Sequence, residues 1–214
     1  MKSEIRFCKD IGMNAIDRSR ELSCVWKTEY CDKWCFNNPI EVRFHKTIPK
    51  KDQRNDEFWS WLDGDKLNKI LSRKRKPVDR LRLCTRGEPL ATADDVFKVL
   101  DFAIKNQEVD FWVPTRAWRN ELMSAMIHSE LWDIDNIFLL ASIDPSNSED
   151  EVQALKKAGW STMYFGKDEV EEGSFKCPKT YRKIEGHCSI CKGGCFNKKK
   201  RVDVHLKYHG VKRK

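Results

Sequence analysis

Between residues 80 and 165, short apolar, β-prone runs alternate three times with stretches of helical periodicity. Arg80 to Thr85 (RLRLCT) predicts a strand. Thr92 then caps a helix, with Asp95 three residues on completing a capping-box-like pair, and Val96, Val99, Leu100 and Ala103 fall on one face. Val109 to Pro114 predicts a second strand, followed by a helix from about Ala117 to Leu131 whose apolar positions include Leu122, Met126 and Ile127. Asn136 to Ile143 is almost continuously apolar, as a strand buried on both faces of a parallel sheet must be. Ser148 with Glu151 forms another capping box, Val152, Leu155 and Ala158 line the helix, Gly159 closes it, and Thr162 to Phe165 is the fourth strand.

This β-α-β-α-β-α-β succession predicts an α/β fold with a parallel sheet of repeated βα units and right-handed crossovers. An open doubly wound sheet and a partial TIM-like barrel both satisfy it, and in either case chemistry gathers at the carboxyl ends of the strands. Those ends carry Thr85-Arg86-Gly87-Glu88-Pro89, Thr115-Arg116, and Ser142 with Asp144-Pro145. Upstream, a helix is expected over Asp56 to Ser72 with Trp59, Leu62, Leu67 and Ile70 as its apolar positions and Gly64 weakening its middle. Arg73 to Lys76 and Pro77 read as its solvated end and a linker. No internal repeat appears, which excludes solenoids.

The chain has 214 residues, enough for one domain with a sizeable core, and its eight Trp and eleven Phe argue against disorder. The formal charge of +8 is unevenly spread. Residues 176–214 hold thirteen Lys and Arg against Glu185 and Asp203, a net +11, so residues 1–175 sum to −3. The division expected is an α/β partial-barrel domain over 1–175 and a cysteine-rich, basic, metal-binding tail over 176–214 packed on it. Lys198, Lys199, Lys200, Arg201, Lys212, Arg213 and Lys214 would either contact a nucleic acid or other polyanion, or offset an anionic metal centre. The start, MKSEIRFCKD, has no signal-peptide core and no run nears the roughly 18 apolar residues of a membrane span, so a cytoplasmic protein with no membrane partner is expected.

The tail's cysteines carry the sharpest chemical signal. Cys177, Cys188, Cys191 and Cys195 follow the spacing C-x10-C-x2-C-x3-C, in which one tight loop eased by Gly193 and Gly194 aims three sulfurs at a common point and Cys177 supplies the fourth. Disulfides are the competing explanation, but a reducing compartment and an odd total of nine cysteines favour metal. A second group, Cys24, Cys31 and Cys35, has spacing C-x6-C-x3-C and either binds its own centre or shares metal with the tail. Cys8 and Cys84 lack partners at ligand spacing and read as small buried hydrophobes. His187 beside Cys188 could replace a thiol, whereas His45, His128, His205 and His209 read as surface or satisfied polar groups.

An early cysteine cluster, a strand ending in Gly87-Glu88-Pro89-Leu90, and repeated βα units resemble the radical S-adenosylmethionine superfamily. The layout more closely resembles the phage-encoded, cysteine-rich gene product eighty-eight family, on the Cys-x3-Cys-Phe-Asn of Cys31 to Asn37, Thr115-Arg116, Cys177-Pro178 with its following cysteines, and His209-Gly210. The radical-enzyme resemblance implies a 4Fe-4S cluster with one iron chelated by S-adenosylmethionine, Cys31 and Cys35 matching two ligands and Glu88 matching a turn glutamate that holds the cofactor's amino group. Where the third ligand of that pattern belongs, this chain has Asn38, so Cys24 would substitute; the turn reads Arg86-Gly87-Glu88, without the usual first glycine. Arg86, Arg116 and Asp144 join Glu88 as catalytic candidates that would orient a zwitterion or phosphate, with Ser142 beside them. The leading expectation is therefore an iron–sulfur protein of viral origin on a radical-enzyme-like scaffold, either a redox or radical enzyme or a redox or structural protein without catalytic turnover. The alternative is a zinc-stapled, nucleic-acid-binding protein.

Overall fold

A computed structural model describes residues 7–8, 13–166, 172–181, 188, 191, 193–198 and 200–207. His187, Lys199, His209, Gly210, Lys212, Arg213 and Lys214 lie outside them. In chain order the elements begin with β1 (Phe7–Cys8), β2 (Asn14–Ile16), α1 (Arg20–Ser23), α2 (Glu29–Trp34), α3 (Asn38–Arg43), α4 (Ile48–Trp61) and α5 (Gly64–Ser72). The βα repeats follow as β3 (Arg80–Leu83), α6 (Ala93–Lys105), β4 (Asp110–Thr115), a 3-10 turn (Ala117–Arg119), α7 (Glu121–Glu130), β5 (Ile137–Ile143), α8 (Glu149–Lys157) and β6 (Ser161–Gly166). The tail adds β7 (Phe175–Lys176), α9 (Pro178–Tyr181) and β8 (Asp203–Lys207).

The sheet runs β1-β2-β3-β4-β5-β6-β8-β7, with β1 antiparallel to β2 and the other seven strands parallel. From β2 to β6 the spatial order is the chain order, so there is no reversal point of the doubly wound kind. Every crossover advances the same way, which places the helices on one face, as in a section of a βα barrel. Both expected capping boxes form, Thr92 with Asp95 and Ser148 with Glu151.

Strand alternation then divides the core in two. Leu81, Leu83, Phe111, Val113, Ile137, Ala141 and Ile143 face the helices and join the main core with Trp59, Leu67, Val96, Val99, Phe102 and Ile127. Their neighbours Trp112, Leu140, Met163 and Val204 point to the opposite face, where Cys177, Cys188, Cys195, Phe196 and Val202 from the tail cover them. The tail is thus the second layer over the sheet and also two of its strands. The boundary expected between 175 and 176 falls within β7, and β8 lies inside the sheet between β6 and β7.

Two helical expectations are corrected. The single helix over Asp56 to Ser72 is α4 and α5, broken at Leu62 and restarted by Asp63, whose carboxylate accepts from the Lys66 N–H at 2.8 Å. Gly64 opens the second helix rather than weakening one long helix. Its N–H donates to Asp101 at 2.6 Å, and a Cβ there would lie 2.5 Å from the Asp101 carbonyl, so only glycine lets α5 approach α6 this closely. Downstream, Asn120 caps α7 four residues later than expected, and the shift leaves Leu122 at 82% exposure while Met123 takes the buried position.

Candidate functional site

Buried charges knit together the carboxyl ends of β2 and β3. Asp17, just past β2, accepts from the Thr85 N–H at 2.9 Å, the Arg86 N–H at 3.1 Å and Lys51 at 3.0 Å, and also from the Thr85 hydroxyl. Cys84, buried with φ +63, makes the left-handed turn that aims those two amides at one oxygen. Burial alone would raise the Asp17 pKa, but Lys51 and Arg86 together hold it below the usual carboxylate range. Arg86 pairs with Asp52, its Nε 3.2 Å from one carboxylate oxygen, and lies 3.5 Å from Asp17. Here burial wins, and the Asp52 pKa is pushed up. Arg86 is thus turned into a network that locks α4 to the strand ends.

The other strand-end residues converge. Glu88 is buried and accepts from the Thr115 hydroxyl at 2.6 Å, the Arg116 N–H at 2.9 Å and the Leu90 N–H at 3.1 Å. A carboxylate offers about four acceptor positions, so one remains. Desolvation outweighs these donors and raises its pKa. Arg116 Nη2 pairs with Asp144 at 2.9 Å, while its Nη1 is buried with no acceptor among the described residues. Asp144 also accepts from the Thr28 hydroxyl at 2.7 Å and from Ser146, and Arg116 and these bonds keep its pKa low against burial. Ser142, two residues before Asp144, gives its carbonyl to Trp118 Nε1 at 3.1 Å.

Thr28 ties this cluster to the first cysteine group. As N-cap of α2 it accepts from the Cys31 N–H at 2.8 Å while donating to Asp144, so the loop carrying Cys24, Cys31 and Cys35 is fastened to the ends of β4 and β5. Burial pushes the Cys24 thiol up to about 12, helped by Glu88 and by Cys31 and Cys35, and it raises Cys35 as well. Arg20 acts on all three thiols and is held by Glu41 at 2.7 Å and Asn38 at 2.8 Å. Beside them a cleft of about 310 Å³ opens between the cysteine loop and the β4–α7 connection, with Trp26, Lys27, Trp118 and Arg119 on its walls.

The tail cysteines form a separate group against the far face of the sheet. Cys177 is fixed by its N–H to the His205 carbonyl of β8 at 3.0 Å. In the loop, the Gly193 N–H points at Cys191 Sγ, 3.4 Å away, a donation that suits a thiolate ligand. A Cβ on Gly193 would strike the Phe175 ring at 2.3 Å, and Gly194 has φ +89, so both glycines are needed for the loop's path. Burial first, then Cys177, Cys191 and Cys188, pushes Cys195 up to about 12; burial likewise raises Cys188, against the pull of Arg82.

All seven thiols are free, as is Cys84. Among the described residues no three His, Cys, Asp or Glu side chains are arranged as a ready-made metal cage. By the chemistry of their donors the two sets nonetheless fit a thiophilic metal: each is sulfur-rich and half-buried, and a metal would supply the positive charge that favours thiolates. His45 is exposed, His128 accepts from Trp160 Nε1 at 3.1 Å, and His205 meets the Tyr181 hydroxyl at 2.7 Å. The sequence did not mark Asp17, Asp52, Arg20 or Arg82. The N-cap signal of Thr28 ahead of Glu29 and Asp32 was the one local cue to the bond that anchors the cysteine loop. No family model, no curated protein and no solved structure matches the chain. Among the described residues no helix is long and apolar enough to cross a membrane.

Proposed function

We propose that the chain is an iron–sulfur protein on a radical S-adenosylmethionine-like scaffold, related to the phage gene product eighty-eight group and working in a reducing cytoplasm. Cys24, Cys31 and Cys35 would hold three irons of a 4Fe-4S cluster at the strand ends, and Cys177, Cys188, Cys191 and Cys195 would hold a second centre. A cluster with one iron open to S-adenosylmethionine would supply one-electron redox chemistry there. The observation that carries the reading is the pairing of Arg116 and Glu88. A buried guanidinium nitrogen with no acceptor among the described residues, on the residue whose charge acts on the buried Glu88 carboxylate near Cys24, is complementary to an amino-acid zwitterion.

In this arrangement Arg116 binds the carboxylate of the zwitterion and Glu88 its ammonium, while Asp144 fixes the Arg116 plane and Thr28 keeps the cysteine loop in register with both. Arg86 stabilises the turn that presents Glu88 and does not touch the ligand. The cleft flanked by Trp26 and Trp118 is the approach for substrate. Adding S-adenosylmethionine to the reduced, anaerobic protein should change its electron paramagnetic resonance spectrum, and Arg116→Met should need at least tenfold more for the same change. An unaltered spectrum at saturating cofactor would overturn the cofactor assignment.

The zinc-stapled, polyanion-binding alternative has one feature in its favour, a cleft of about 490 Å³ with Lys156, Lys200 and Arg201 on its walls. Several tail-side cations are already engaged, however: Lys156 and Arg201 flank Asp203 at 3.6 and 3.4 Å, and Lys198 donates to the Ile134 carbonyl. Nucleic-acid affinity that falls steeply with salt, on a colourless zinc-only protein, would favour that alternative.

A further inference from the structure

Arg82 is the buried arginine for which the described residues provide no carboxylate. Arg18, Arg20, Arg86 and Arg116 each lie within ion-pair distance of an Asp or Glu. Arg82, 9% exposed in the middle of β3, makes one hydrogen bond among the described residues, from Nε to the Cys84 carbonyl at 2.9 Å. Its side chain points to the tail-covered face, where the guanidinium lies 4.4 Å above the Trp112 ring. Trp112 packs against Phe196, the residue after Cys195, and Cys188 and Cys195 pack into the same cluster. Asp17, the carboxylate whose charge acts on Arg82, is already bonded to Lys51 and close to Arg86. Burying a guanidinium without a counter-ion is unfavourable, and neutral thiols do not relieve that cost. Thiolates would.

We propose that Arg82 is the built-in counter-charge of the tail's metal centre, a positioning residue that sets how firmly Cys188 and Cys195 hold metal as thiolates. The inference rests on the reading that the four tail cysteines bind metal. Four thiolates around a zinc ion or a 4Fe-4S core leave a net negative centre, and a cation fixed on the sheet beneath stabilises it and favours adding an electron to it. Stacking on Trp112 holds the charge in place within the cluster into which Cys188 and Cys195 pack.

The test uses the full chain with Cys24, Cys31 and Cys35 replaced by Ser, so that the tail centre is observed alone, loaded anaerobically with iron and sulfide or with zinc. Arg82→Met should lose metal to a competing chelator at least tenfold faster than the parent, and any iron–sulfur centre should show a more negative midpoint potential. Arg82→Lys should recover most of both. If the Met variant retains metal and potential like the parent while its circular dichroism melt is native, Arg82 is not the counter-charge. Should the Met variant not fold, Arg82→Gln, which can keep the bond to the Cys84 carbonyl, is judged on the same two readings. A parent that binds neither metal overturns the metal assignment itself, a result recognisable before any Arg82 variant is made.

Discussion

Arg86 and Arg116 stand at equivalent strand ends, yet their surroundings give them different work. Arg86 is enclosed by Asp52 and Asp17, so removing it takes from Asp52 its closest cation and leaves Lys51 alone to serve two buried carboxylates. Arg86→Ala should therefore cost about 3–5 kcal/mol, read from the denaturant midpoint. A midpoint within error of wild type would show that the network is not structural. His128 supplies a pH test. It is stacked on Trp132 with ring centroids 4.0 Å apart and must be neutral to accept from Trp160 Nε1, and burial lowers its pKa. With the folded value depressed below about 6.5, the unfolded chain binds more protons in that region. This contribution is complete above the unfolded value and declines as pH falls from there through the folded one. His128→Phe should flatten the dependence of Tm on pH between about 7 and 5, and an unchanged slope would remove the linkage.

The βα elements were legible because they combine strong local signals with ordinary lengths. The two capping boxes fix helix starts by hydrogen bonds within four residues, and the apolar run at β5 needs no distant partner to be recognised. The strands that were missed, β1, β2, β7 and β8, are two to five residues long and owe their existence to neighbours far away in sequence; β8 is strand because Thr162 to Gly166 of β6 pairs with it. Gly64 was misread for the same reason. Its low helix propensity is a local fact, whereas its closeness to Asp101 and Lys105 of α6 is a tertiary one. On an exposed helix Gly→Ala gains about 1 kcal/mol. Gly64→Ala should instead destabilise by roughly 1–3 kcal/mol, because the added methyl meets backbone, and a rise in Tm would contradict the close helix contact.

Across the molecule the strand ends offered candidate residues by type, and the fold decided which of them meet. Glu88, Arg116 and Asp144 are linked in series, and Asp144 is joined through Thr28 to the loop of Cys24, Cys31 and Cys35; Arg86 turns away, and the tail thiols occupy the opposite face. The seven thiols thus lie in two sets, one on the loop at the strand ends and one against the tail-covered face. The tail covers apolar strand residues through few elements of its own, so if it holds metal as proposed, a chelator should expose the segment after Gly166 to limited proteolysis while β2 to β6 stay resistant. Equal cleavage with and without metal would mean that the tail docks unaided. The decisive determination is iron, zinc and acid-labile sulfide on anaerobic protein, made in parallel for wild type, for Cys24/Cys31/Cys35→Ser, and for Cys188/Cys191/Cys195→Ser. Two independent thiolate-held centres predict that each variant loses one share of iron and sulfide and keeps the other, whereas a chain without iron, or with iron indifferent to both sets of substitutions, would contradict the account.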